Sequence, residues 1–433
     1  MTKITFLGAG STIFAKNVLG DAMTVPALQD FEFALFDIDH ERLKESETML
    51  KNIKKNLGST VNIVSYTDRK ESLRNAKYVI NAIQVGGYDP STIIDFEIPK
   101  KYGLRQTIAD TVGIGGIFRS LRTIPVMLDF AKDMQEVCPD AWFLNYTNPM
   151  AALSGAMQRY SGIKTVGLCH SVQVCADHLL RDLDMSTDNL QWKIAGINHM
   201  AWLLEITRNG EDLYPEIKRR ALEKQKRTHD DMIRYELMQR FGYYVTESSE
   251  HNAEYHPYFI KNRYPELIER FNIPLDEYPR RCINQIEDWK KMRDDLLNDQ
   301  NLTHSRSHEY GSYIMEAMET NVPFKIGGNV LNTGGLISNL PEKAVVEVPC
   351  LVDASGVTPT YVGELPEQLA ALNRTNINTQ LLTIEAAMTK KKEHIYHAAM
   401  LDPHTSAELS IDDIVALCDD LIEAHGDWLP KYK

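Results

Sequence analysis

At 433 residues, with 43% hydrophobic, 9% aromatic and 25% charged side chains, the chain has an ordinary globular composition able to bury a large core, which excludes disordered and fibrous classes. A formal net charge of -13 and a single short basic run, KRRALEKQKR at 218–227, argue against nucleic acid as a partner. The opening MTKITFLGAG lacks the regions of a signal peptide, no apolar run reaches the roughly 18 residues of a membrane span, and six scattered cysteines suit reduced thiols, so a cytoplasmic protein with no membrane partner is expected.

Residues 4–7, 31–36, 61–66, 78–82, 142–146 and 164–168 are short apolar segments bounded by turn residues, and they predict buried strands. Helical periodicity follows Ser11 and recurs at 41–56, 118–136 and 150–160. Strands alternating with helices predict right-handed βαβ units and a mostly parallel sheet. The character changes near 190. Residues 191–197 and 202–207 look extended, 213–241 is a charged helical stretch, and 283–297, 365–391 and 411–425 predict helices. Short strands at 329–331 and 344–349 predict a small additional sheet. The expected fold class is α/β, with an N-terminal Rossmann-type domain over 1–195 and a C-terminal α+β domain over 196–433 for substrate and oligomerisation.

Gly8-Ala9-Gly10-Ser11 follows the first strand and opens a helix. Glycines there let the backbone turn tightly and approach a pyrophosphate, whose charge sits at the helix N-terminus. The position of a third fingerprint glycine holds Ile13. Asp37 closes the next apolar run, where a carboxylate accepts hydrogen bonds from a ribose diol and repels a 2′-phosphate, which favours NAD over NADP. A structural turn, with Asp37 capping the helix that follows, is the competing reading.

Three strand-end segments are dense in polar groups: Asn145-Tyr146-Thr147-Asn148-Pro149, Cys169-His170-Ser171 and Gly196-Ile197-Asn198-His199. Ligands of open α/β sheets lie beyond the C-terminal strand ends, so these loops are candidates to converge on one site. Cys169 and His199 offer a thiolate and an imidazole to a metal, leaving positions open for substrate oxygens. On spacing alone a buried cysteine and a satisfied core histidine is the simpler reading. Gly113-Ile114-Gly115-Gly116 reads as a lid or a plain loop, His256, His404 and His425 as surface or core residues, and the basic run as a solvated helix face.

Together these segments resemble the family 4 glycoside hydrolases. The stretches FLGAGSTIF, FDID, QVGGYDP, QTIADT, NYTNPM, VGLCHSVQ, AGINHMAW, VTESSEH, LDEYPRR, CLVDASGVTPT, TNIN and MLDPHT carry the resemblance over nearly the whole chain, and within the family they are similar to the bacterial α-galactosidases (melibiases). The resemblance implies a lactate/malate dehydrogenase-like fold, a homodimer or homotetramer, and a small-molecule sugar substrate. It implies hydrolysis of terminal α-galactosides such as melibiose, dependent on NAD and a divalent metal, with manganese expected. NAD oxidises the sugar C3 hydroxyl, the metal polarises the ketone, a base removes the C2 proton and the C1 aglycone leaves. Water then adds and the hydride returns. Carried onto this chain, the resemblance makes Cys169 and His199 the metal ligands, Asn148 a substrate contact and His170 the general acid, with support of the metal as the alternative for His170. Relatives acting on 6-phosphorylated sugars show Asp or Asn at that position, so His170 points to an unphosphorylated substrate. Gly8, Gly10, Ser11 and Asp37 keep the cofactor role. The C2 base stays open among Glu247, His251 and Tyr255, because VTESSEHNAEYHPY departs from the tyrosine-bearing segment of relatives. Alternatives are an α-glucoside or uronide substrate, or a lactate/malate-type NAD dehydrogenase with Arg119 and Arg122 as carboxylate clamps.

Overall fold

The computed structural model describes residues 1–307 and 309–433. Six strands, β1 (Lys3–Leu7), β2 (Glu32–Phe36), β3 (Asn62–Tyr66), β4 (Ala76–Asn81), β5 (Trp142–Asn145) and β6 (Lys164–Leu168), lie parallel in the order β6-β5-β4-β1-β2-β3. They read as unbroken apolar runs because helices cover both faces. Strand alternation then sends neighbours to opposite cores. Phe6, Ile80 and Leu144 enter one cluster, while Leu7, Val79 and Phe143 enter the other.

The later strands do not form the separate small sheet that the sequence suggested. β7 (Leu190–Ile197), β8 (Met200–Arg208), β9 (Glu211–Asp212), β10 (Tyr244–Val245), β11 (Phe324–Leu331), β12 (Val345–Asp353) and β13 (Gly356–Pro359) extend the parallel strands into one 13-stranded sheet. The junction is β11, antiparallel to β6 at Gly328↔Leu168 and Asn329↔Gly167 and to β12 along its length. Glycine makes that junction possible. A Cβ on Gly327 would lie 2.7 Å from Val172, and one on Gly328 would lie 2.8 Å from the Cys350 sulfur.

Two local readings are also corrected. Gly113-Ile114-Gly115-Gly116 is neither lid nor loop; it is the buried first turn of helix Gly113–Val137. Cβ atoms on Gly115 and Gly116 would sit 2.6 Å from the backbone of Ala109 and Thr111, so these glycines let the helix pack directly on the preceding loop. The stretch 213–241 is two helices, Tyr214–Lys224 and Met232–Phe241. Among the described residues no helix is long and apolar enough to cross a membrane.

The three histidines given structural roles are buried. His404 and His425 direct Nε2 to the Arg105 carbonyl (2.8 Å) and Asp95 Oδ1 (2.9 Å). His256 is 1% exposed with no hydrogen-bond partner for either ring nitrogen among the described residues, and burial pushes its pKa down to about 3. Its unfolded value is near 6.5, so on acidification the unfolded chain takes up a proton that the folded chain refuses. The stability of the neutral ring is fully present above about pH 6.5 and is lost as pH falls toward the folded pKa, at up to about 1.4 kcal/mol per pH unit. Replacing His256 with Leu is expected to flatten the acid limb of melting temperature against pH between 7.5 and 4.5, as measured by thermal denaturation. An unchanged limb would assign the acid sensitivity elsewhere.

Candidate active site

β1, β4, β5 and β6 all point their C-terminal ends at one side of the sheet, where the loops from Gly8, Ala82, Tyr146 and Cys169 begin. Gly8 holds φ +89°, and a Cβ there would meet the Ala82 carbonyl at 2.7 Å, so only glycine lets β1 turn so close to β4. Ser11 makes no side-chain cap on helix Thr12–Met23, which leaves the first-turn amides facing this loop without a capping side chain among the described residues. Asp37 accepts from the Gly10 amide at 2.7 Å through Oδ2 and from the Asp39 amide at 2.9 Å through Oδ1. Capping of helix His40–Leu57 falls instead to Asp39, which accepts from Glu41 and Arg42 at 3.1 Å each. The cradle between Gly8, Gly10 and Asp37 therefore fits a dinucleotide, with free amides for its phosphates and an acid for a ribose.

The second half of the site comes from strands far apart in sequence. Ile197↔Met200 closes the β7–β8 hairpin and presents His199 at its tip in a left-handed conformation (φ 62°). β10 pairs with β8 at Val245↔Trp202, so Glu247, two residues on and also left-handed (φ 65°), arrives beside His199. Such backbone costs free energy for non-glycine residues and collects at functional sites. Ligand atoms of Cys169, His199 and Glu247 all lie within 4.8 Å of one another. Burial pushes the His199 pKa down to about 4 despite the attraction of Glu247, so the ring is neutral at neutral pH, and its Nδ1 is buried without a partner among the described residues. A neutral imidazole, a thiol and a carboxylate facing one point fit a divalent cation. Burial raises the Cys169 thiol, with Glu347 and Glu247 adding to the rise, whereas a coordinated cation would favour the thiolate.

Asn148 joins this group. Its side-chain amide nitrogen lies 3.4 Å from Asp110 Oδ2, and its main-chain carbonyl accepts from Arg119 Nε at 3.2 Å. Asp110 faces His251 at 3.5 Å, and the other side of that ring lies 3.4 Å from Glu247. Burial disfavours a charged His251, but the flanking Glu247 and Asp110 outweigh it and raise the pKa to about 9. Burial would likewise raise Glu247, yet His199 and His251 hold its carboxyl below the ordinary value. Tyr255 is fully buried, with its hydroxyl donated to the Asn198 carbonyl at 3.2 Å. His170 stands at the rim, its side chain 47% exposed. Tyr146 stacks on it at 6.0 Å, and Phe14 of the cofactor-side helix meets Tyr146 edge-on at 4.9 Å, which links the two halves of the site.

Of the sequence-derived site residues, Gly8, Gly10, Ser11 and Asp37 form the cradle, Cys169 and His199 meet with Glu247, His170 follows Cys169 at the end of β6, and Asn148 connects to this group through Asp110 and His251. Sequence reasoning missed three carboxylates. Asp110 lay inside the quoted QTIADT. Glu254 accepts the amides of Thr107 (2.6 Å) and Ala109 (3.0 Å) and so shapes the loop leading to Asp110. Glu309 sits 2.6 Å from His170 Nε2, and no sequence signal marked it.

Arg122 is not a substrate clamp: it is buried and paired twice with Asp95, at 3.1 and 2.6 Å. The chain is 72% identical over 433 residues to an alpha-galactosidase of Bacillus subtilis (strain 168), with 100% of both chains covered. It is 34% identical to an alpha-galactosidase of Rhizobium meliloti (strain 1021), over 99% of this chain and 89% of that one. Its fold matches a crystal structure of a 6-phospho-alpha-glucosidase from gut microorganisms in complex with NAD and Mn2+, at a TM-score of 0.81, 22% identity and 100% coverage of both chains. Residues 3–185 match the family 4 glycosyl hydrolases and residues 194–405 match the C-terminal domain of the same family. With both matches on the fold and site just described, the chain belongs to glycosyl hydrolase family 4.

Proposed function

We propose that the protein is an α-galactosidase that hydrolyses terminal α-galactosides such as melibiose with the help of NAD and a divalent metal, manganese being the expected ion. The observation that carries the reading is the convergence of Cys169, His199 and Glu247 on one point beside Asn148 and His170, at the strand ends that also form the dinucleotide cradle. Identity of 72% to an alpha-galactosidase supports the choice of sugar.

Gly8, Gly10 and Ser11 would hold the pyrophosphate and Asp37 the ribose, while Cys169 and His199 would hold the metal. When bound, the two groups supply reversible hydride transfer at sugar C3 and polarisation of the oxygen there, which acidifies the C2 proton. Asn148, anchored by Asp110 and Arg119, orients a sugar hydroxyl. The base is assigned by availability. Tyr255 is buried and its hydroxyl is committed to a carbonyl, and His251 is held between Asp110 and Glu247. Glu247 keeps a carboxylate 24% exposed beside Cys169 and His199, and it takes the C2 proton. His170, at the rim, gives a proton to the oxygen leaving C1. The division near residue 195 would separate a cofactor half from a half that completes the substrate site and forms a homodimer or homotetramer. Six unpaired cysteines support a reducing, cytoplasmic setting.

The test is cleavage of an aryl α-galactoside in reducing buffer with NAD and manganese, each omitted in turn after bound groups are stripped. Activity requiring both, without accumulation of NADH, is the expected result. Equal activity without NAD would overturn the mechanism, and net NADH production would indicate a dehydrogenase.

A further inference from the structure

His170 is held on two sides by a segment that the proposed chemistry has not yet used, and on a third by Tyr146. Glu309 Oε2 lies 2.6 Å from His170 Nε2, with the Glu309 side chain only 13% exposed. Tyr310 presents an edge-to-face contact at 5.9 Å to the same ring and donates its hydroxyl to the Cys169 carbonyl at 2.9 Å. The Gly311 amide donates to the hydroxyl of Tyr146, the residue stacked on the ring's face, at 2.9 Å. The segment is itself anchored to the cofactor-side helix. Buried Asp21 accepts from the Ser307 amide (2.7 Å) and hydroxyl (2.6 Å) and pairs with His304 Nε2 (2.6 Å), and the Glu309 amide donates to Ser307 Oγ at 3.1 Å. A mostly buried carboxylate fixed in this way sets which imidazole nitrogen carries which hydrogen bond.

We propose that Glu309 is the positioning residue for His170: it accepts the Nε2–H, so that Nδ1 is the nitrogen that hands a proton to the departing oxygen. As the C1–O bond breaks, its electron pair stays on oxygen, the Nδ1 proton passes to that oxygen, and a neutral imidazole remains with Nε2–H still directed at Glu309. This rests on the reading of His170 as the general acid, and the experiment separates the two.

Hydrolysis is measured on α-galactosides whose leaving groups run from acidic nitrophenols to a sugar alcohol, for His170→Asn, Glu309→Ala and Glu309→Gln. Glu309→Ala is expected to lose about 10- to 100-fold in kcat on the sugar leaving group but to stay near wild type on the nitrophenol, with KM and NAD affinity unchanged. Glu309→Gln, which still offers an acceptor oxygen, restores part of the loss. Selective ¹⁵N-histidine labelling, at a pH where the ring is neutral, reads the tautomer that remains once Nδ1 has lost its proton, with Nε2 protonated in the wild type and that preference lost in Glu309→Ala. A leaving-group dependence in His170→Asn but not in Glu309→Ala, a uniform fall across all leaving groups, or a wild-type ring with bare Nε2 overturns the role of Glu309. Absence of the dependence in His170→Asn overturns the acid reading itself.

Discussion

Cys169→Ser is expected to lower kcat at saturating sugar by at least about a thousandfold, or about 4 kcal/mol of transition-state stabilisation, while leaving the fold and NAD affinity in place. The thiol is 9% exposed, 3.1 Å from Ser171 Oγ and within 4.8 Å of the donor atoms of His199 and Glu247. Serine preserves the size and the backbone contact to Tyr310, but its hydroxyl does not ionise near neutral pH and cannot supply the thiolate donor. The loss should therefore appear as metal affinity. Calorimetric titration with manganese is expected to show binding weakened by about two orders of magnitude or more, the upper range of losses seen even for residues that only orient a ligand. NAD titration, followed by quenching of tryptophan fluorescence, should be unchanged, because the Gly8–Asp37 cradle does not include Cys169. Chelation of the wild-type enzyme should reproduce the defect, and manganese should reverse it. A serine variant with wild-type manganese affinity would remove Cys169 from the metal site.

The cradle was legible in the sequence because everything that builds it is local. A strand, a Gly-Ala-Gly turn, a helix and an acid after the next strand lie within 37 residues, and period-2 against period-3.6 patterning separates them. The role of Asp37 was the one ambiguity. It could cap the next helix instead of holding a ribose, and the structure gives that cap to Asp39 while Asp37 reaches back to Gly10. Cys169 and His199 were visible as polar residues at strand ends, but their neighbourhood was not. Glu247 reaches them through pairing of β10 with β8, and Glu309 meets His170 across 139 residues of chain. Contacts of that kind depend on strand order, which no local pattern encodes. The same limit explains the misplaced small sheet, since β11 is tied to β6 by backbone approach at glycines rather than by any feature of the strands predicted at 329–331 and 344–349. The Gly113–Gly116 run misled for a different reason. Glycine signals either freedom or close packing, and here the absent Cβ atoms make room for the backbone of Ala109 and Thr111.

Glu247→Gln separates two roles that its position allows. As the acceptor of the C2 proton, the carboxylate is indispensable and the isosteric amide is nearly inert, so kcat should fall by about a hundred- to ten-thousandfold. As a third metal ligand, its loss would instead weaken manganese binding in the manner of Cys169→Ser. The geometry admits both roles, and the first is the one the proposed chemistry assigns. Glu247 Oε2 stands 3.9 Å from His199 Nε2, and its other oxygen is 3.4 Å from His251 Nδ1, leaving the carboxylate between a ligand and a histidine held by Asp110. Glutamine tolerates the left-handed backbone at 247 no worse than glutamate, so the local fold is expected to persist. Manganese affinity should then stay within about threefold of wild type, well under the 10- to 100-fold losses that follow removal of metal-orienting groups. The decisive readout is exchange at the sugar. In deuterated water the wild-type enzyme is expected to place deuterium at C2 of the released galactose, because the abstracted proton is replaced from solvent when water adds. Glu247→Gln should slow that incorporation in step with kcat. A variant that loses manganese but regains full turnover and exchange at high metal concentration would make Glu247 a ligand and return the base to His251 or Tyr255.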